Sequence, residues 1–163
     1  MINWRQIFKV LGMLLFIEAG LLLITLVVAL IYKEDVMPYV WTLAITIVLG
    51  LVGRGIGWGA GKNMGRRDGY LIVSLVWLIF SLIGMIPFIL AASVPDVSSA
   101  FFEAMSGFTS TGATIMDNID SQPKGILFWR SVTQWIGGIG IIFFTLALKV
   151  TGFLLILIIQ TKT

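Results

Sequence analysis

One short segment of the sequence combines residue types that can bind a cation. Residues 100–118 read AFFEAMSGFTSTGATIMDN, an apolar helical pattern followed by small hydroxyl residues and glycine. The candidate ligands in this run are Thr109, Ser110, Thr111, Gly112, Ala113 and Thr114. An extended run could aim successive backbone carbonyls at one axis and replace the water shell of an ion, and Gly112 can adopt positive φ without steric penalty. Because oxygen ligands of this kind are hard, the run favours an alkali cation over a thiophilic metal.

The composition indicates that this segment lies in a lipid bilayer. Of the 163 residues, 58% are hydrophobic and 12% are charged, and the mean hydropathy is +1.03, outside the range of ordinary soluble domains. The absence of cysteine and histidine removes disulfides, thiol chemistry and the commonest general base and zinc ligand. The net charge of +3 comes from basic residues at the ends of apolar segments, which does not favour nucleic-acid binding. We expect an all-α, polytopic membrane protein that is not an enzyme and has no cofactor.

Four apolar runs are long enough to cross a membrane as helices. A hydrocarbon core of roughly 30 Å needs about 20 apolar residues of helix. The predicted spans are 10–32, 36–53, 70–92 and 126–148. A fifth apolar run, 150–159, is too short to cross alone.

The apolar pattern of residues 97–108 predicts a helix that is long enough to enter the membrane only halfway. At 1.5 Å per residue this helix would reach about 18 Å. Non-helical backbone, such as the run that follows it, survives at membrane depth only when it is buried in protein or lines a water-filled path. The carboxyl end of a helix brings the negative end of the helix dipole and several carbonyls to that depth, which favours a cation. By itself a Ser-Thr-Gly run is also typical of an exposed turn, but a span, a short helix, a small-residue loop and a second span form the plan of a potassium-channel pore unit.

The placement of lysine and arginine predicts the orientation of the chain. With a cytoplasmic amino terminus, the basic residues on the cytoplasmic side are Arg5, Lys9, Arg54, Lys62, Arg66, Arg67, Lys149 and Lys162. The opposite side receives only Lys33 and Lys124. The positive-inside rule therefore places the amino terminus in the cytoplasm and the half-length helix on the outer side.

Longer motifs around the candidate loop resemble a known family. They are Gly65-Arg-Arg-Asp-Gly69, Trp77, Gly84-Met-Ile-Pro-Phe88, the run from Phe101 to Thr114, and Phe128-Trp-Arg130 followed by Gln134-Trp-Ile-Gly-Gly-Ile-Gly140. With these motifs, residues 1–148 are similar to the Trk/Ktr/HKT superfamily of potassium uptake proteins, and within it to the Trk-type membrane subunit. The resemblance implies an amino-terminal transmembrane helix pair with a basic cytoplasmic loop in 1–69. It implies a first pore repeat in 70–148, and residues 149–163 are an atypical tail.

The resemblance also implies a function for the loop. Ser110, Thr111, Gly112 and Ala113 would form one quarter of a selectivity filter that coordinates potassium through backbone carbonyls, as part of a Trk-type potassium uptake channel-like transporter. The implied location is a bacterial-type inner membrane. The implied partners are membrane lipid, further pore repeats from other chains or from a full-length relative, and a cytosolic nucleotide-binding regulatory subunit, with no nucleic acid.

A different class of function is left open by the sequence. The tail after Leu148 does not match the family. The alternative is therefore a truncated, non-transporting membrane remnant, or an accessory subunit that associates with a full-length relative.

Several charged residues have two interpretations each. Arg130 could extend to the lipid headgroups, or it could hold the filter loop through backbone carbonyls or Asp117. Asp117 and Asp120 could concentrate cations at the pore mouth or belong to a solvated loop. Glu18 lies within the first span, where it could have a structural role, protonated or hydrogen-bonded, or handle ions.

A glycine series precedes the third span. Glycines at positions 53, 57, 61, 65 and 69 are spaced by four residues. They would form a flat contact face if this segment were helical, or a flexible basic turn if it were not.

Overall fold

The structure, a computed structural model, describes residues 2–61 and 65–160, and within these ranges all side chains except those of residues 66 and 144–160. The described chain folds into α-helices and a single turn of 3-10 helix, Ile119–Ser121, with no strand. The helices are α1 (Trp4–Ile31), α2 (Met37–Ile56), α3 (Arg66–Gly84), α4 (Ile86–Leu90), α5 (Val97–Phe108) and α6 (Lys124–Gln160). The predicted all-α class is therefore confirmed.

Four segments of the described chain are long and apolar enough to cross a membrane. They are Trp4–Ile31, Met37–Ile56, Arg67–Leu90 and Lys124–Phe143. These segments overlap the four predicted spans, because apolar runs of this length have few other stable locations.

Three local features differ from the sequence expectations. The third span is not one helix over 70–92 but two, α3 and α4, which meet at Met85. The backbone of α6 stays helical through residue 148 and on to Gln160, whereas the sequence predicted an end at 148. Residues 161–163 of the predicted tail lie outside the described residues.

The glycine series does not form one continuous helical face. Helix α2 ends at Ile56, and Gly57 caps it at the start of a turn. Gly65 then caps the start of α3 through its N–H, which donates to Asp68 Oδ2 at 2.9 Å. Residues 62–64 between these positions lie outside the described residues.

Helices α1 and α2 pack closely because glycines lie between them. A Cβ added to Gly12 would lie 2.7 Å from the Arg54 backbone nitrogen and 2.8 Å from the Gly50 carbonyl oxygen. A Cβ added to Gly53 would lie 3.0 Å from the Phe8 carbonyl oxygen. Small residues of this kind let helix backbones approach each other in lipid, where the hydrophobic effect does not drive helices together.

Two acidic residues fix the starts of the helices that flank the candidate loop. Asp96 accepts the Ser99 N–H at 2.7 Å and caps α5, and this backbone hydrogen bond lowers the pKa of the Asp96 carboxyl. Glu34 accepts the N–H groups of Lys124 and Gly125 at 2.6 and 2.8 Å. A carboxylate at the start of α6 satisfies donors that have no partner in the helix and complements the helix dipole.

Packing at Gly12 can be tested against a second glycine of the same helix. In a Gly12→Ala variant the new methyl group overlaps backbone atoms of α2. We therefore expect the free energy of unfolding to fall by about 1–3 kcal/mol. A Cβ at Gly20 meets no atom within 4 Å. Gly20→Ala should therefore leave the free energy of unfolding unchanged or raise it by up to about 1 kcal/mol, because alanine has the higher helix propensity. Thermal unfolding in detergent compares the two, and equal melting temperatures would contradict the close α1–α2 contact.

Candidate functional site

Helix α5 carries the candidate loop at its carboxyl end. Its last residue, Phe108, is fully buried and makes edge-on ring contacts with Phe80 and Trp129, with centroid distances of 5.4 and 6.4 Å. Helix α6 passes directly behind this end, because a Cβ at Gly137 would overlap the Phe108 carbonyl. The point at which the chain leaves α5 is therefore fixed by aromatic packing on one side and by a glycine of α6 on the other.

The backbone of the loop turns its N–H groups back toward α5. The N–H groups of Thr111 and Gly112 both donate to the Ser106 carbonyl, at 2.9 and 3.4 Å. Ser110 and Gly112 have φ angles of 55° and 76°, in the left-handed region. Gly112 adopts this conformation without a side-chain clash, whereas Ser110 is strained, and its hydroxyl is held by a bond to the Gln134 carbonyl at 3.0 Å.

The hydroxyl groups of the loop bind protein atoms. Thr109 Oγ1 donates to the Met105 carbonyl at 2.7 Å, and Thr111 Oγ1 lies 2.9 Å from Thr109 Oγ1. Thr114 Oγ1 donates to Glu103 Oε2 at 3.0 Å. These bonds attach both ends of the loop to α5 and leave the central backbone as the candidate ligand set.

An ion pair below the loop joins α5 to α6. Glu103 has 1% of its side chain exposed, and its Oε1 accepts from Arg130 Nε at 2.5 Å. Glu103 Oε2 also accepts the Ile115 N–H at 3.0 Å, while Arg130 Nη2 donates to the Gly112 carbonyl at 3.2 Å. This geometry agrees with the second interpretation of Arg130, in which its side chain holds the loop through a backbone carbonyl.

The two aspartates after the loop are not part of this network. Asp117 and Asp120 are exposed, and Asp120 lies in the 3-10 turn. Within the described residues, neither forms an ion pair with Arg130, whose ion-pair partner is Glu103.

The loop carbonyls differ in their hydrogen bonding. The Gly112 carbonyl accepts from Arg130, and the Ala113 carbonyl accepts the Ser106 hydroxyl at 2.6 Å. Among the residues described, no hydrogen bond ends on the carbonyls of Ser110 and Thr111. Residues 110–114 are also exposed. The loop therefore lies at the surface of this chain, and its Ser110 and Thr111 carbonyls are without a hydrogen bond from the described residues.

Sequence reasoning missed two residues that position the loop. They are Glu103, whose carboxylate binds Arg130, Thr114 and Ile115, and Ser106, whose carbonyl and hydroxyl bind the loop. The available signal was their spacing, because residues three apart on a helix share a face. That face of α5 points toward the loop that follows it.

Together these features define a class of protein: an α-helical, multi-pass membrane protein with a half-length helix and an unwound loop between two spans. Over the described part of the chain, no three His, Cys, Asp or Glu side chains form a metal-binding group.

The chain belongs to the TrkH family, described as "Cation transport protein", which its sequence matches over residues 36–151. It is 36% identical over 152 residues to the Trk system potassium uptake protein TrkH of Escherichia coli K12. That alignment covers 90% of this chain and 31% of the relative. It is 31% identical over 155 residues to TrkI of Halomonas elongata, covering 92% of this chain and 32% of the relative.

A solved structure has the same fold. The crystal structure of the potassium transporter TrkH from Vibrio parahaemolyticus matches with a TM-score of 0.84 and 35% identity, covering 90% of this chain and 32% of that one. The chain thus spans about a third of the length of its relatives. The family resemblance is confirmed.

The ion pair can be tested by its effect on the loop. In Glu103→Gln, the ion pair with Arg130 becomes a bond to a neutral amide, and the bond from the Ile115 N–H loses its charge assistance, which accounts for about half of its strength. We expect amide hydrogen exchange in 111–116 to become at least about tenfold faster, equivalent to roughly 1.4 kcal/mol. Asp117→Asn is the matched control and should leave exchange unchanged. Equal exchange in both variants would contradict the anchoring role of Glu103.

Proposed function

We propose that the chain supplies one of several equivalent loops that line a potassium pathway through the membrane. The observation that carries this proposal is the pair of carbonyls at Ser110 and Thr111, which accept no hydrogen bond among the described residues on an exposed loop. The carbonyls of Gly112 and Ala113 complete the ligand set with their second lone pairs. A ring of such carbonyls can replace the hydration shell of the ion.

The electrostatics of the loop support a monovalent cation. The carboxyl end of α5 contributes the negative end of its dipole. Glu103, the acid that accepts hydrogen bonds from the loop, is paired with Arg130, so the proposed ligands are dipoles and not a bare carboxylate. Neutral oxygen ligands suit a weakly hydrated alkali cation better than a divalent ion, which is usually bound by carboxylates. The names of the relatives specify potassium.

A complete pathway needs further pore repeats. One loop offers only a fraction of the oxygens that an ion requires. Trp135 of α6 and Phe102 of α5 are 64% and 45% exposed, on elements next to the loop, so further repeats could cover them. We propose that these repeats come from other copies of this chain or from a full-length relative.

The proposed setting is a bacterial-type inner membrane with the amino terminus in the cytoplasm. Arg5, Arg54 and Arg67 are exposed near the helix ends that the positive-inside rule assigns to the cytoplasm. A cytosolic nucleotide-binding regulatory subunit would contact this side. Asp117 and Asp120 would lie at the opposite, outer mouth, where their charges raise the local cation concentration.

Transport can be tested by potassium-dependent growth of an uptake-deficient bacterial strain. We expect this chain to restore growth at low potassium and Gly112→Asp to abolish it, because the new side chain strains the loop and puts a carboxylate beside the carbonyls. Gly59→Asp is the matched control, since Gly59 has φ of 74° and, like Gly112, open space around it. Growth should survive that substitution.

The same growth test separates transport from the alternative class. No restoration by a chain that is well expressed in the membrane would favour a non-transporting remnant or an accessory subunit. Restoration that is equally lost in Gly59→Asp would point to general misfolding and would not support a filter.

Assembly of the chain can be measured directly. The family resemblance implies that one loop forms a quarter of the filter, so identical loops arranged around one axis by cyclic symmetry would require four copies. Native mass spectrometry in a mild detergent should then detect tetramers of the 17.9 kDa chain. A spectrum with monomers alone, supported by the absence of cross-linked products, would rule out the homomeric arrangement.

A further inference from the structure

A fully buried acid in α1 has no partner in the described structure. Glu18 has no exposed surface, and neither carboxyl oxygen has a hydrogen-bond partner. Leu15 and Leu22, one turn before and after it on the same face of α1, are also buried. Because a carboxylate without water, donor or countercharge is very costly to bury, Glu18 needs a neutralising ligand.

The charged groups of the packed helices do not provide that ligand. In the described part of the chain they are Arg54 on α2, Arg67 and Asp68 on α3, Glu103 on α5, and Lys124 and Arg130 on α6. Asp68 binds backbone N–H groups at the start of α3, and Arg130 pairs with Glu103. None of them forms an ion pair with Glu18 within the described residues.

The Glu18 carboxyl faces the break between α3 and α4. Its Oε1 lies 3.6 Å from the position that a Cβ of Gly84 would occupy. Pro87 follows in the first turn of α4, and because proline has no N–H, the helical bond that would end on the carbonyl of Ile83 is missing. The acid therefore lies beside the segment in which proline interrupts the regular hydrogen bonding of the helix.

We propose that Glu18 is a proton-binding site within the membrane: a neutral carboxylic acid whose O–H donates to a backbone carbonyl of the α3–α4 break. Protonation removes the buried charge and turns an acceptor-only group into a donor. It thus satisfies the carboxyl and the interrupted helix together. The ligand is a proton and not a metal ion, because Leu15 and Leu22 offer no further oxygen.

The same break also contacts the end of the helix that bears the loop. The Gly84 carbonyl accepts Trp129 Nε1 at 2.9 Å, and a Cβ at Gly84 would lie 2.6 Å from Phe108 Cε2. Glu18 is therefore a positioning residue for the carboxyl end of α5. This consequence for the loop rests on the proposed function, whereas the protonation itself does not.

Infrared spectroscopy of the chain in lipid nanodiscs tests the proton directly. At neutral pH we expect a carbonyl band of a protonated carboxyl that is lost in Glu18→Gln and retained in Glu103→Gln, because Glu103 is an ion-paired carboxylate. A wild-type spectrum without this band would overturn the proposal, whether or not the variants fold. Persistence of the band in Glu18→Gln would also overturn it.

The positioning role is tested by thermal unfolding in potassium chloride and in choline chloride. Glutamine keeps a donor at position 18, so Glu18→Gln should retain the potassium-dependent rise in melting temperature, whereas Glu18→Leu should lose more than half of it. Equal loss in both variants would contradict positioning by a donated hydrogen bond. Absence of the rise in the wild-type chain would count against the proposed function, while the infrared band would still decide the proton site.

Discussion

The structure of the loop depends on one constraint: backbone polar groups inside a bilayer have no water to bind and need partners in the protein. The N–H groups of Thr111 and Gly112 meet this constraint through the Ser106 carbonyl, and the Ile115 N–H meets it through Glu103. The carbonyl oxygens of Ser110 and Thr111, by contrast, accept no hydrogen bond among the described residues, and both residues are exposed. The satisfaction of the donors thus leaves backbone acceptors unused, and these are the groups that we propose bind a cation.

The surrounding helices hold that arrangement from two sides. Helix α6 begins at a fixed point because Glu34 caps it, and it approaches the end of α5 closely because Gly137 has no side chain. On the other side, the break at Gly84 accepts the Trp129 indole and allows Phe108 to pack against α3. Glu18 is buried against the same break, so helix α1 also contacts this region. The loop is thus positioned by packing over much of the chain.

Local composition was sufficient to predict the four spans, and the pattern around 97–114 predicted a short helix followed by a small-residue loop. Other features depend on residues far apart in sequence. Glu34 caps a helix 90 residues later, and Glu103 pairs with a residue 27 positions away, so no local pattern identifies either partner. The break at Met85 was signalled by Pro87, but apolar length alone favoured one span. Whether residues 110–113 bind an ion remains a prediction, because it depends on neighbouring loops.

The central claim is that the backbone oxygens of residues 110–113 coordinate a potassium-like ion. Rubidium has a similar radius and scatters X-rays anomalously, so a crystal of the assembled chain grown in rubidium chloride would locate the ion. The account predicts an anomalous peak on the assembly axis, in direct contact with the carbonyl oxygens of Ser110 and Thr111. A peak confined to the carboxylates of Asp117 and Asp120, or no peak near the loop of a well-ordered assembly, would contradict it.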